Sequence, residues 1–450
     1  MLNDSSTIAA ISTASGVGGI GIVRISGPNA LFIAKKICQI DIQPRNVHFS
    51  LFKDLNDQLI DEGLVLFFKS PRSFTGEDVV ELQGHGGPIV LNLILKACIR
   101  FGAKIASPGE FTKRAYLNSK LDLAQAESVA DLINASTDAA AKSAINSLSG
   151  NFSIKINDLQ KKLIELRMYI EACLDFPEED IDFITEGKVA DKLKKLSETT
   201  IEILLTAHQG QLLRDGVNVV LIGQPNVGKS SLMNQLSEEN KAIVTNIPGT
   251  TRDPISSDIN LDGIPVHFTD TAGLRDTDDV VEKFGIDKTW DSVAKAHIAL
   301  VIVEASQGVG KYEESLLKKL PPDIKKFFIF NKIDLVQERS RIEKNGEEII
   351  IYLSAKNGEG LTLLKNHIIT IIGKTQVSEN SEGLFIARKR HVDALSLVSD
   401  SLKSGLANLG APELVAEELI LAQKHLSSIT GEFSSDDLLG EIFSQFCIGK

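Results

Sequence analysis

At 450 residues, 43% apolar and 24% charged, the chain is longer than one hydrophobic core usually serves, so two or three domains are expected. No segment approaches the roughly 18 uninterrupted apolar residues of a membrane span, which excludes membrane-spanning helices. A net charge of −12 gives no global attraction to nucleic acid, so any RNA contact needs a local basic surface.

Residues 1–11 lack a basic region followed by an apolar stretch, and Asp4 argues against a transit peptide, so a cytoplasmic protein without membrane attachment is expected. Residues 1–118 mix short β-type runs at 20–25, 64–68 and 79–82 with Gly-rich turns and one helical stretch near 90–99, the pattern of a compact α/β domain. From about Leu121 the texture becomes helical. Ile156, Leu159, Leu163, Leu166, Ile170 and Leu174 recur three or four apart on one stripe, which stops near the helix-breaking Phe176-Pro177. Leu193, Leu196 and Leu204 continue the helical spacing until Asp215-Gly216 breaks it.

Strand-like runs then alternate with helical segments up to about Ile372, and 376–383 is polar and linker-like. Helical spacing returns in Leu395, Val398, Leu402 and Leu406, and again in Leu439, Ile442, Phe443 and Phe446. The simplest partner for these stripes is the helical block before residue 214. The expected organisation is therefore an α/β domain at 1–118, a helical domain in two halves at 119–213 and 374–450, and an α/β domain inserted at 214–373. The run Arg388-Lys389-Arg390-His391 is either a local RNA-binding surface or a solvated helix start, and charge alone favours the latter. Cys38, Cys98, Cys173 and Cys447 have no CxxC spacing, which disfavours disulfides and zinc; three of them are expected in the core.

The inserted domain opens with the apolar run 217–222, which leads into Gly223-Gln224-Pro225-Asn226-Val227-Gly228-Lys229-Ser230 and then the helical Ser231-Leu232-Met233-Asn234. This is GxxxxGK[ST] in strand-turn-helix context. Its backbone N–H groups wrap phosphates, Lys229 pairs with the outer phosphates, and the Ser230 hydroxyl binds Mg²⁺. The other elements of a Ras-like P-loop GTPase follow in order: Thr250-Thr251, Asp270-Thr271-Ala272-Gly273, Asn331-Lys332-Ile333-Asp334 and Ser354-Ala355-Lys356. Asp270 can hold the metal shell, Gly273 gives an N–H close to the γ-phosphate, and the Asp334 carboxylate accepts two hydrogen bonds from a guanine edge. GTP is the expected nucleotide. Leu274 stands where Ras-like proteins carry a water-orienting glutamine, so another polar group, most plausibly from 275–282, has to position water.

On these motifs, and on Gly249-Thr250-Thr251-Arg252-Asp253, Glu81-Leu82-Gln83-Gly84-His85-Gly86-Gly87, Pro108-Gly109-Glu110-Phe111 and the terminal Phe446-Cys447-Ile448-Gly449-Lys450, the whole chain resembles the MnmE/TrmE family of bacterial tRNA modification GTPases. The resemblance implies a tetrahydrofolate-binding and dimerisation domain at the N-terminus, a split helical domain and an inserted GTPase domain. It implies that, with a flavin-dependent partner of the GidA/MnmG type, carbon 5 of the wobble uridine of certain tRNAs receives an aminomethyl or carboxymethylaminomethyl group. It further implies a K⁺ ion in place of an arginine finger, bound by Asn226, Thr245, Ile247 and Thr250, with Mg²⁺ on Ser230 and Thr251 and a water-positioning Glu282 beside the catalytic Lys229.

The remaining nucleotide contacts it implies are Val227, Gly228, Ser231, Asn246, Pro248 and Gly249. Arg24, Glu81, Lys120 and Lys450 match the family's folate-contacting positions, for 5,10-methylenetetrahydrofolate or a 5-formyl analogue, and Cys447 matches a functional thiol. Read without the resemblance, Glu282 and each folate position is a surface charge and Cys447 an incidental thiol. A ribosome-assembly or other RNA-binding GTPase shares the nucleotide motifs, and a folate-dependent one-carbon transferase with a regulatory GTPase is a second alternative.

Overall fold

The computed structural model describes residues 6–175, 188–239, 256–270, 293–322, 324–346, 348–372, 383–431 and 436–449. The chain divides into two compact units, one made of Met1–Ala130, Ser147–Glu198 and Leu397–Lys450, the other of Asp131–Asn146 and Thr199–Ser396.

The first unit begins with β1 (Ile8–Ile11), β2 (Gly18–Ser26), α1 (Ala30–Cys38), β3 (Val47–Lys53), β4 (Leu59–Phe68), β5 (Val79–Gly86), α2 (Pro88–Arg100), β6 (Lys104–Ile105) and α3 (Glu110–Leu117). Its six strands form one sheet in the order β3-β4-β5-β2-β1-β6, antiparallel except for the β1–β6 pair. Period-two alternation divides each strand between two faces. Val23, Ile25, Phe52, Val65, Phe67, Val80 and Leu82 pack with Ile33 and Ile37 of α1 and Ile94 and Cys98 of α2 into one core. On the opposite face Val47, Phe49, Leu51 and Leu64 stay exposed.

Helices α4 (Leu123–Ile133), α5 (Asp138–Leu148) and α6 (Asn151–Asp175) follow, then α7 (Val189–Asp215). The predicted stripe on α6 is buried at Ile156, Leu159, Leu163, Leu166 and Ile170. The second unit continues with β7 (Val217–Ile222), α8 (Lys229–Glu239), β8 (Ser256–Leu261), β9 (Ile264–Asp270), β10 (Ile298–Glu304), α9 (Lys311–Leu317), β11 (Lys325–Asn331), α10 (Ile333–Val336), β12 (Arg341–Asn345), β13 (Glu348–Tyr352) and α11 (Leu361–Ile371). Helices α12 (Lys389–Ala407), α13 (Pro412–Thr430) and α14 (Asp436–Ser444) complete the described chain. Within the first unit α13 lies along α6, and Gln160 Nε2 donates to Ser427 Oγ at 3.1 Å across their buried seam. Phe443 and Phe446 pack with Leu123 and Ala126 of α4.

The second unit carries a seven-stranded sheet in the order β12-β13-β11-β10-β7-β9-β8. Its inner strands are parallel, with β12 and β8 antiparallel at the edges. The continuous apolar runs of β7 and β10 are buried on both faces, as a helix-covered parallel sheet requires. In such a sheet the ligand crevice lies beyond the strands' carboxyl ends where the order reverses, here between β7 and β10.

Two sequence readings are corrected. Arg388 and His391 do not begin a solvated helix or a basic surface: both are buried, and Arg388 forks onto Asp131, with Nη2 to Oδ1 at 2.9 Å and Nε to Oδ2 at 3.4 Å. Only two of the four cysteines, Cys38 and Cys98, are core residues; Cys173 is half-buried and Cys447 exposed. Burial pushes the Cys38 thiol up to about 12, which leaves it a small apolar filler. Among the described residues no helix is long and apolar enough to cross a membrane.

Candidate functional site

The turn after β7 is shaped by backbone conformations that side chains restrict. Asn226 has φ +67° and Gly228 φ +103°. A Cβ on Gly228 would sit 2.2 Å from Asn331 Nδ2, so only glycine fits there. The loop closes on its own lysine: Lys229 Nζ donates to the carbonyls of Gly223 at 2.8 Å and Gln224 at 3.1 Å. Lys229 and Asp270 are both buried, with Nζ 4.0 Å from Asp270 Oδ1 at the end of β9. A buried ammonium held by the loop carbonyls at the start of α8 fits a polyphosphate, and Ser230 is exposed beside it.

At the other end of the crevice Asn331, 2% exposed, acts as a brace. Its Nδ2 donates to Val227 O at 2.7 Å and its Oδ1 accepts from Ala355 N at 2.9 Å, tying the phosphate loop to the Ser354-Ala355-Lys356 turn. Ser354 Oγ donates to Asp334 Oδ1 at 2.6 Å, fixing the carboxylate. Lys332, at φ +63°, reaches Glu304 Oε2 at 3.1 Å. Ile333 is fully buried and anchors the turn, and Lys356 is exposed. Sequence reading found the motif residues but missed the Asn331 brace, Glu304 and the hold of Ser354 on Asp334. The first two depend on contacts between distant segments; the last could have been sought in the serine that opens the Ser354-Ala355-Lys356 motif.

Thr245, Asn246, Ile247, Pro248, Gly249, Thr250, Thr251, Thr271, Ala272, Gly273, Glu282 and Lys450 lie outside the described residues. In the N-terminal sheet, register places Arg24 of β2 opposite Glu81 of β5, and the two form an ion pair at 2.9 Å. The Arg24 guanidinium also lies 5.8 Å from the ring centroids of Phe74 and Phe111. Both of its hydrogen bonds to Glu81 end on Oε1, while among the described residues Oε2 has only Gln83 Nε2 at 3.5 Å. Lys120 Nζ donates to Pro71 O at 3.2 Å, in the loop that carries Phe74. Near the terminus Cys447 O accepts from Gly109 N at 3.3 Å, and Ser12 Oγ donates to Gly449 O at 2.9 Å.

Residues 7–120 match the family described as GTP-binding protein TrmE N-terminus, and residues 123–447 match the MnmE helical domain. A protein of Chromobacterium violaceum is 51% identical over 445 residues, covering 99% of this chain and 98% of its own. One from Neisseria meningitidis serogroup B is 51% identical over 451 residues and covers both chains completely. Each is described as tRNA modification GTPase MnmE. The chain belongs to the MnmE/TrmE family. Among solved structures it is similar to Aquifex aeolicus Era, at 22% identity over 41% of this chain and 67% of that one, with a TM-score of 0.27. As a member of the MnmE/TrmE family the chain is a GTP hydrolase acting in tRNA modification.

Proposed function

We propose that the chain spends GTP hydrolysis on modifying carbon 5 of the wobble uridine of certain tRNAs, together with a flavoprotein of the GidA/MnmG type. The observation that carries this reading is the buried Lys229 ammonium inside the phosphate loop, facing Asp270, in a chain whose likeness to tRNA modification GTPases runs its whole length. In the domain reading, 1–118 binds folate and dimerises, 119–213 and 374–450 form the helical domain, and 214–373 hydrolyses GTP in the cytoplasm.

The residues present suit the groups this reading requires. Lys229 and the loop N–H groups hold the phosphates, Ser230 and Thr251 would hold Mg²⁺, and Asn226, Thr245, Ile247 and Thr250 would hold K⁺. A bound monovalent cation supplies the charge compensation an arginine finger otherwise gives. Glu282 orients water in place of the missing glutamine. The exposed apolar face of the N-terminal sheet supports homodimerisation through that domain. Glu81 Oε2, which keeps acceptor capacity, suits the donor edge of a reduced pterin, and Lys120 and Lys450 complete the set.

Deleting the gene should remove the aminomethyl-type modification from wobble uridine, read by nucleoside mass spectrometry of total tRNA, and purified protein should turn over GTP faster in K⁺ than in Na⁺. Retention of the modified nucleoside would overturn the tRNA reading. Equal turnover in the two salts would remove the K⁺ site and leave GTP hydrolysis standing.

A further inference from the structure

Beside the turn that carries Asn331 and Asp334 stands an acidic side chain that the GTP motifs do not include. Strands β10 and β11 run parallel and in register, so that Glu304, the last residue of β10, lies level with Asn331, the last of β11. The pairing continues past the strands, where Ala305 N donates to Asn331 O at 2.8 Å. Lys332 then takes the left-handed conformation, φ +63° and ψ +38°, which turns the chain into α10. Ile333 goes into the core, while Lys332 and Asp334 are half-buried.

Across this junction Lys332 Nζ meets Glu304 Oε2 at 3.1 Å, so the lysine stem spans from the end of one strand to the end of the next. The carboxylate is itself held. Ser306 Oγ donates to Glu304 Oε1 at 3.2 Å, and Gln307 N and Gly308 N close the turn after β10 on Glu304 O at 2.9 and 3.0 Å. One oxygen is thus engaged by the residue's own turn, and the other takes the ammonium. With 30% of the Lys332 side chain and 23% of the Glu304 side chain in solvent, the pair is screened and adds little to the stability of the fold. What it does is decide where the lysine stem lies.

We propose that Glu304 is a positioning residue for guanine-nucleotide binding, which fixes the Lys332 stem as an ordered apolar wall of the base site beside Asp334. The inference rests on the reading of Asp334 as the base acceptor and adds to it the residue that sets the neighbouring wall. The methylenes of a lysine can cover an apolar ring face while the ammonium sits elsewhere. Left free, that stem has many rotamers, and a nucleotide would have to order it on binding. Held by Glu304, the stem is ordered beforehand and its charge is balanced locally. Asp334 is fixed in the same manner by Ser354, so the two half-buried residues of the turn are each set by a partner outside it.

The test is calorimetry on the full-length chain in Mg²⁺ with GDP and with guanosine 5′-(β,γ-imido)triphosphate, which is not turned over. Glu304→Gln keeps the size of the side chain and an oxygen for Ser306 but removes the charge. It should weaken both nucleotides about fivefold, the size of one side chain ordered during binding instead of before it, while the Tm of the nucleotide-free protein stays within about a degree of wild type. In a Lys332→Gln background the same substitution should cost nothing further, because Glu304 acts through the lysine. A further loss in that background would mean that Glu304 touches the nucleotide itself or supports the fold, and a loss confined to the triphosphate would move its action to the phosphate end. Either result overturns the proposal, as does unchanged affinity in Glu304→Gln. Asp334→Asn is the control on the underlying reading: if it leaves both affinities unchanged, the base is not at this turn, and that reading fails together with the role given to Glu304.

Discussion

In the proposed reading Asp334 selects guanine with help from a neighbour twenty residues away. Its carboxylate is useful only if it keeps one orientation, and the Ser354 hydroxyl secures that by donating to Oδ1 at 2.6 Å. The base is then met by a fixed charged acceptor, which loses little entropy on binding. Asp334→Asn replaces one acceptor oxygen with a donor and should lower GTP affinity roughly a hundredfold, about 2.7 kcal/mol, while improving affinity for xanthosine triphosphate. Titration of both nucleotides by calorimetry checks this, and unchanged GTP affinity would take base recognition away from Asp334. The tetrapeptide singles out Asp334 in the sequence as the candidate base contact. The Asn331 brace was not legible, because a side-chain amide that joins Val227 to Ala355 exists only after three segments have converged. Arg24 and Glu81 were each read as a ligand contact, and their mutual ion pair depends on the β2–β5 register, which single-strand patterns do not reveal.

Periodicity carried the elements well where one face is buried. The α6 stripe, the apolar runs of β7 and the strand-loop-helix around Lys229 all stand where spacing and Gly/Pro punctuation put them. It failed where a long-range ion pair inverts a local signal. The basic run beginning at Arg388 looks solvated, yet Asp131, 257 residues away in sequence, takes its guanidinium into the interior of the second unit. Asp131 Oδ1 also accepts from Arg214 Nε at 2.9 Å. Arg214 ends α7 just before β7, and Arg388 precedes α12, so one carboxylate near the end of α4 ties down the chain on both sides of the nucleotide-binding sheet. Asp131→Ala takes the shared anion away from both guanidinium groups, Arg214 keeping its ion pair with Asp215. Because Arg214 keeps 28% of its side chain in solvent, the cost should fall at the low end for a broken buried pair, about 3 kcal/mol. Scanning calorimetry should record this as a drop in Tm of several degrees, with the GTP motifs untouched. A shift of less than a degree would mean that the two arginines find other partners and that the carboxylate is dispensable.

For the molecule as a whole, the open face of the N-terminal sheet is the feature an isolated chain explains least. Val47, Phe49, Leu51, Leu59 and Leu64 are all between 40% and 66% exposed on the β3–β4 side of the sheet. Scattered apolar residues need no explanation, but Val47, Phe49, Leu51 and Leu64 lie on one face of paired strands, and Phe49 stands directly opposite Leu64. A second copy of the same face, meeting it about a two-fold axis, would remove that surface from water with self-complementary contacts, which is how most homodimers form. Replacing Phe49 and Leu64 together by glutamate sets carboxylates opposite one another within each protomer, and on dimerisation it would bury four of them, a cost no surrounding contact offsets. The wild type should therefore sediment as a dimer at micromolar concentrations and the double variant as a monomer, with GTP affinity unchanged because the nucleotide crevice belongs to the other sheet. Sedimentation velocity decides it: a variant that remains dimeric would place the subunit interface somewhere other than this face.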